Sequence, residues 1–444
     1  MSQTSRASFR ELFGWAMFDF ANSSYTTVII TVVFSILFPR IIVGDAPDFR
    51  MGNLLWSIAL SVSYLVVLVS SPLLGAIMDF TGAKKKFLFA SYLLTVLSTA
   101  SLYFVKPGYI VLGMILLIIS NIGFSYGEAF IASFLPGLGP AKDLGRISGY
   151  AWGLGYFGGL ASTAIVIFWL DAGVYTLENF NNLRLVGPVT GLFFLLAAIP
   201  TFLWVKNRST PQSLPHGESF FSIGFKRLRK TFAEIRDFRD LVILLVSFFF
   251  AYAGLSIVIS FTFIYGDQIV QWSAMTQTLM FVITQITAAC GAFLFGYTQD
   301  RWGAKRTFII TLMLWFVTII LIYGVIEITH FINALSGISI TTEQLFLVTG
   351  SIAGLGLGST QSACRAMVGM FSPGTKAGEF FGLWNFSNRL AGIMGLLSLG
   401  ILQNLFGLRN AILVCSIFFM AAVIIALFVN EARGREMALK HAGE

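Results

Sequence analysis

Long apolar runs separated by short charged breaks recur from one end of the chain to the other. Taken between charge clusters, they fall near 13–38, 54–77, 87–105, 109–134, 145–170, 185–205, 241–265, 275–297, 306–327, 345–370, 378–403 and 408–430. A helix crosses about 30 Å of hydrocarbon with roughly 20 apolar residues, so each run is long enough to span a bilayer. Unpaired backbone in lipid is too costly for anything but helices or closed barrels, and these runs lack the alternation of barrel strands. The pattern predicts an all-α polytopic membrane protein of twelve transmembrane helices.

The longest polar break, 206–240, divides the chain into a first bundle (1–205) and a second bundle with a short tail (241–444). Within that linker Phe221, Phe225, Leu228, Phe232 and Ile235 recur at helical spacing, while Lys226, Arg227, Arg229, Lys230 and Arg236 fill much of the rest. A basic amphipathic helix lying on anionic headgroups accounts for this pattern; a solvated charge run in a flexible loop is the alternative.

Composition supports the membrane reading: 56% of the 444 residues are hydrophobic and 11% charged, against roughly 45–50% and about 25% in soluble domains. The net charge of +8 is a topology signal. Of the 29 Lys and Arg residues, 22 fall on one face, among them Arg6, Lys84 to Lys86, Arg146, Arg301 and Arg433. The opposite loops hold Arg40, Arg50, Lys106, Arg184 and Arg409. The positive-inside rule then makes both termini cytoplasmic, and no nucleic-acid partner is expected. Cys290, Cys364 and Cys415 lie in apolar runs without metal-ligand spacing, so neither a metal site nor a disulfide framework is expected. The first run is too long for a signal-peptide core and is expected to be a retained span.

One motif occurs twice. Gly75-Ala-Ile-Met-Asp79-Phe-Thr-Gly82-Ala-Lys84-Lys85-Lys86 follows the second run, and Gly296-Tyr-Thr-Gln-Asp300-Arg301-Trp-Gly303-Ala-Lys305-Arg306 follows the eighth. Gly75 and Gly296, Asp79 and Asp300, Gly82 and Gly303 are each 221 residues apart, so the chain contains an internal repeat. The first glycine lets helices approach, the aspartate accepts from backbone donors or pairs with a cation, and the second glycine makes the turn. A further symmetry inverts charge: Glu128 lies eight residues before Pro136, and Arg365 eight before Pro373. Gly145-Arg146-x-x-Gly149 and Gly378-Glu379-x-x-Gly382 then open the fifth and eleventh runs.

The repeated loop resembles the signature of the major facilitator superfamily, which implies two pseudo-symmetric six-helix bundles rocking about a central site. Four segments resemble its vacuole-effluxer-like branch, which includes fungal vacuolar amino-acid effluxers and bacterial relatives. They are Gly14-Trp15-Ala-Met-Phe-Asp19-Phe-Ala-Asn22-Ser-Ser-Tyr25; Phe134-Leu-Pro136 with Gly145-Arg-Ile-Ser148-Gly-Tyr150-Ala-Trp-Gly-Leu-Gly155-Tyr156-Phe-Gly158; Gln361-Ser-Ala-Cys-Arg365; and Glu379-Phe-Phe381-Gly382-Leu-Trp384. The branch usually carries a Tyr-x-Asp-Gly element in its seventh span, where this chain has Tyr252-Ala253-Gly254. Any coupling or substrate contact made there by a carboxylate in relatives is missing.

Ionisable groups within spans are costly and need a partner, water or a task. Asp19, Asn22, Ser23 and Thr26 share one stripe at i, i+3, i+4 and i+7, which suits a water-filled cavity, binding of an ammonium group or proton coupling; a helix-packing acid is the alternative for Asp19. Arg389, one turn after Asn385, suits an anionic solute group or a tie to a carboxylate. Tyr25, Tyr156, Gln361 and Trp384 join these as candidate substrate or coupling residues. Asp79, Lys85, Glu128, Arg146, Asp300, Arg301, Arg306, Arg365 and Glu379, with Gly75, Gly82, Gly296 and Gly303, are candidates for an inner gate. Gly350, Gly354 and Gly358, and likewise Gly155 and Gly159, predict close helix packing.

These readings converge on a non-enzymatic secondary carrier that moves a small solute by alternating access. The resemblance suggests amino acids or related zwitterions, with the proton as candidate coupling ion. No nucleotide-binding loop is present, no cofactor is expected, and a monomer is expected. A carrier of another solute class (peptide, organic anion, sugar or lipid) and a transport-inactive sensor on the same fold remain as alternatives. A membrane-embedded lipid enzyme is disfavoured, because His216, His330 and His441 all fall in loops or the tail. The short loops fit a bacterial cytoplasmic membrane, and a eukaryotic source would imply a vacuole or lysosome.

Overall fold

The computed structural model describes residues 6–45, 49–172, 174–234, 236–336 and 339–441, with the side chains of 260, 261, 263, 274, 396, 399, 400 and 404 outside that description. All regular structure among the described residues is helical. The principal helices are α1 (Phe9–Ser24), α2 (Arg50–Thr81), α3 (Lys84–Ser101), α4 (Ile110–Ala132), α5 (Leu144–Leu170), α6 (Val186–Ala197), α7 (Ile199–Trp204), α8 (Phe220–Ala233) and α9 (Arg239–Tyr265). They continue with α10 (Ala274–Trp302), α11 (Ala304–Tyr323), α12 (Thr342–Phe371), α13 (Ala377–Leu427) and α14 (Glu431–Lys440). Beyond α1 the chain continues as π-helix over Tyr25–Val32, and α13 is broken at Gly407, whose φ of 77° lies in the left-handed region.

Ten segments among the described residues are long and apolar enough to cross a membrane. Residues 345–370 and 378–403 are helical as well, within α12 and α13, but are not among the ten. In α12 the physical reason is its load of Gly, Ser, Thr and Gln, which suits a helix packed against α10 and α11.

The sidedness of single helices is inverted relative to a soluble protein. On α11 the exposed face carries Ile310, Met313, Val317 and Ile320, whereas Thr307, Thr311 and Thr318 are buried. The hydroxyls of Thr311 and Thr318 are satisfied within the helix, donating to Phe308 O at 2.8 Å and Leu314 O at 2.7 Å. Large aliphatics outside and small or self-satisfied polar residues inside are what a hydrocarbon solvent selects. Small residues then set the closest contacts. A Cβ on Gly354 or Gly358 would overlap Thr287 or the Ala288 carbonyl of α10, and one on Gly155 or Gly158 would meet Ser23 or the Phe20 carbonyl of α1. Gly158 thus joins Gly155 in that contact.

The chain divides into two units. Unit one comprises Met1–Pro140, Leu154–Ala233 and Gly374–Phe386, and unit two comprises Ala141–Gly153, Glu234–Pro373 and Ser387–Glu444. Unit one therefore contains the opening turns of α13, and unit two those of α5.

A strap of the same design closes each unit. In unit one Glu11 accepts the Lys206 N–H at 3.1 Å and a two-pronged Arg208 at 2.5 and 2.7 Å, while Lys85 Nζ donates to Val205 O at 3.0 Å. In unit two Asp240 accepts the Asn430 N–H at 2.7 Å and both prongs of Arg433 at 2.7 and 2.9 Å, while Lys305 Nζ donates to Leu427 O at 2.6 Å. Asp240 raises the Arg433 pKa above its ordinary value, through the side-chain hydrogen bond first and charge second. Arg208→Ala and Arg433→Ala leave a buried carboxylate without its cation. Arg208→Ala is expected to lower unfolding stability in detergent by about 1.5–3 kcal/mol and Arg433→Ala to lower it as well, both read from thermal midpoints; a double-mutant cycle showing no coupling between Arg208 and Glu11 would refute the strap.

Candidate functional site

The first copy of the repeated loop lies in unit one. Gly82, at φ 62°, turns the chain out of α2, and Asp79 stands on the last turn of that helix. Its Oδ2 accepts the Glu379 N–H of the first turn of α13 at 2.9 Å, where an anion is favoured by the unpaired amides and the helix dipole. The other oxygen faces Lys84 Nζ at 3.5 Å, and Lys84 also donates to Ser133 O at 3.1 Å. Two glycines make the approach possible: a Cβ on Gly75 would overlap the Gly378 carbonyl, and one on Gly382 would press on Ser71 and Pro72 at 2.7 Å. One turn further along α13, Asn385 donates to Ser125 O at 2.9 Å and Ser71 Oγ at 3.2 Å. The Glu379 carboxylate is buried and faces Arg227 of α8 at 3.9 Å, with the Thr231 hydroxyl approaching it.

The second copy lies in unit two and reproduces the arrangement with different cations. Gly303, at φ 92°, turns the chain between α10 and α11, and Asp300 on the last turn of α10 accepts the Arg146 N–H of the first turn of α5 at 3.3 Å. A Cβ on Gly145 would lie 2.6 Å from Asp300 Oδ1, and one on Gly296 would lie 3.0 Å from the Gly149 Cα. Arg146 approaches Asp300 at 3.9 Å and Asp143 at 3.3 Å. Deeper in, Arg365 of α12 is buried, donating to Ser148 Oγ and Ser148 O, both at 3.0 Å, with its guanidinium 5.3 Å from the Trp152 ring centroid.

The expected gate residues therefore gather in two clusters. Asp79 and Glu379 meet in unit one; Arg146 and Asp300 meet in unit two, with Arg365 held by Ser148, two residues beyond Arg146 on α5. Glu128, half-buried on α4, belongs to unit one. The cation that meets Asp79 is Lys84, one residue before the expected Lys85, which serves the strap. Arg301 and Arg306 are exposed, with Arg301 lying 4.9 Å from the Tyr297 ring. Reading the sequence alone missed Arg227, Thr231, Ser71 and Ser148 as participants. Ser148 lies in the Gly145–Gly158 segment that carries the family resemblance; the others carry no local signal.

The polar stripe forms on α1 as far as Ser23. Asp19 and Ser23 are half-buried and Asn22 is buried, while Thr26, on the π-helix, donates to Ser23 O at 3.2 Å. Asn22 presents a buried Oδ1 without a hydrogen-bond partner among the described residues. Tyr25 lies in the packed core of unit one, its hydroxyl 2.8 Å from Ser120 Oγ and its ring stacked on Phe124 at 5.1 Å. Tyr156 is half-buried on α5, Gln361 on α12 donates to Leu357 O at 3.3 Å, and Trp384 and Arg389 are buried on α13.

Comparison with known proteins matches residues 55–439 to the family described as "Vacuole effluxer Atg22 like". The chain belongs to this Atg22-like family. An uncharacterized MFS-type transporter, YxiO, of Bacillus subtilis is 26% identical over 429 residues, covering 96% of each chain. Autophagy-related protein 22-1 of Aspergillus niger is 24% identical over 306 residues, covering 67% of this chain and 49% of that protein, so the Atg22-like chain spans about half the length of this fungal relative. Among solved structures, the proton:xylose symporter XylE superposes with a TM-score of 0.70 at 14% identity, over 96% of this chain and 97% of that one. An outward-facing bacterial homologue of ferroportin gives 0.68 at 13%, over 94% and 98%. At such identities the likeness establishes the major facilitator fold alone. Within the Atg22-like chain, the alanine standing where an acid was expected, Ala253, is buried, and a Cβ on Gly395 would lie 2.5 Å from its carbonyl oxygen.

Proposed function

We propose that this MFS-type transporter is a secondary carrier of small solutes, with amino acids or related zwitterions as the solute class, working by alternating access between two six-helix bundles with both termini cytoplasmic. The observation that carries the reading is the duplicated clasp: an aspartate on the last turn of α2 capping the first turn of α13 in unit one, and one on the last turn of α10 capping the first turn of α5 in unit two. A charge-assisted hydrogen bond contributes about 1.5–3 kcal/mol, and a two-state element with a gap of a few kcal/mol is what ligands can bias. Cap and helix start can separate without unfolding either helix, which is the property required of a gate. Membership of a family described as vacuole effluxers supports a carrier of solutes, and the α1 stripe of Asp19, Asn22 and Ser23 offers acceptors for the ammonium group of a zwitterion. Asp19 is the proposed coupling carboxylate.

The test is counterflow of labelled amino acids in proteoliposomes, run on wild type and Asp19→Asn with and without an imposed pH gradient. Counterflow retained in Asp19→Asn with gradient-driven uptake lost is the expected result. Absence of counterflow for every amino acid would reject the solute class and direct the same assay to peptides, organic anions, sugars and lipids.

A further inference from the structure

The linker helix α8 presents three different faces. Ile223, Gly224, Arg227 and Thr231 turn toward unit one: Ile223, Gly224 and Thr231 are buried, and a Cβ on Gly224 would press on Leu73 and Ile77 of α2 at 2.7 and 2.8 Å. Phe221, Phe225 and Phe232 form a second face and are 62%, 62% and 56% exposed. Lys226, Arg229 and Lys230, all exposed, make the third. Ile235, expected to extend the aromatic stripe, lies outside the described residues.

The place where α8 sits decides what covers the phenylalanines. Along α2 the exposed apolar stripe runs through Ile58, Val62, Val66 and Val69, which is the lipid-facing side of a spanning helix. Leu73 and Ile77 continue that stripe to the end nearest the basic loop, and there Gly224 lies on them. The helix thus occupies the boundary where hydrocarbon gives way to headgroups, with protein on one side. An aromatic face beside a cationic face is the composition that inserts between acyl chains and anionic headgroups. A water-exposed loop gives no reason for three bare phenylalanines at i, i+4 and i+11. On its protein face the same helix reaches the clasp, through Arg227 to Glu379 at 3.9 Å and to Thr375 O at 3.3 Å.

We infer that α8 is an interfacial helix that takes anionic lipid headgroups and, when seated on them, holds Arg227 against the opening of α13, so that the lipid surface sets how firmly the clasp of unit one closes. The lipid contact stands independently of the proposed function; the effect on the clasp rests on that reading.

Hydrogen exchange of the full-length protein in nanodiscs separates the two. In discs of phosphatidylcholine with phosphatidylglycerol, residues 220–233 are expected to exchange at least about fivefold more slowly than in phosphatidylcholine alone, with 374–386 slowed in parallel. At roughly 1 M salt, where the Debye length falls to about 3 Å, the difference should vanish. The Phe221→Ser/Phe225→Ser/Phe232→Ser variant, altered only at exposed positions, is expected to lose both responses. Arg227→Gln is expected to keep the first and lose the second. Equal exchange of 220–233 in the two lipids would overturn the inference outright. A lipid response at 220–233 with 374–386 unchanged in wild type would overturn the control of the clasp and leave the counterflow test of transport untouched.

Discussion

Gly75→Val is expected to reduce solute counterflow more than tenfold while the protein still inserts and purifies. The valine Cβ would occupy the position of the Gly378 carbonyl oxygen, and that oxygen cannot retreat without withdrawing the adjoining Glu379 N–H from Asp79. Overpacking of this kind costs about 1–3 kcal/mol, comparable to the cap itself, so the closed clasp loses its advantage. Exchange of the Glu379 amide should rise in step. Gly374→Ala, whose Cβ meets nothing within 4 Å, is the matched control and should behave as wild type. Wild-type counterflow and amide exchange in Gly75→Val would show that the contact is not made in the working carrier.

The two aspartates of the repeat should not be equally sensitive. In unit one the side chains of Asp79 and Lys84 are only 1% and 7% exposed, so Asp79→Asn leaves a buried ammonium without its counter-charge, a loss of about 3–5 kcal/mol. In unit two Asp300 and Arg146 are 14% and 26% exposed, and Arg146 keeps Asp143, so Asp300→Asn should cost about 1 kcal/mol. Thermal midpoints in detergent would rank the two variants. Asp79→Asn/Lys84→Met should recover most of the stability, since an apolar replacement removes the stranded charge. Equal midpoints for the single variants would mean that Lys84 is solvated when the protein is in solution.

How much of this could be read beforehand depends on the range of the interaction. The helical fold and the repeat are written in local terms, since hydrocarbon demands long apolar runs and duplicated loops keep their spacing. The straps were illegible for a related reason: Glu11 and Asp240 lie 229 residues apart, and Arg208 and Arg433 lie 225 apart, so neither pair falls on the 221-residue offset that exposed the loops. Linker residue Arg227 looked like one more headgroup cation, because only the docking of α8 on α2 brings it to Glu379. Tyr25 carried a motif position and a polar hydroxyl, yet its neighbours Ser120 and Phe124 come from α4, nearly a hundred residues away.

By itself the sequence determined the hydrocarbon solvent, the helical class and the internal repeat, because each follows from composition, periodicity or spacing along the chain, while the resemblance of the repeated loop pointed to the superfamily. Only the tertiary structure decided partners: that Asp79 and Asp300 cap helix openings, that Lys84 and not Lys85 meets the first of them, and that Arg365 is held by Ser148. Hydrogen bonds and ion pairs act over about 3–4 Å, and which groups come that close is set by where the glycines let helices touch.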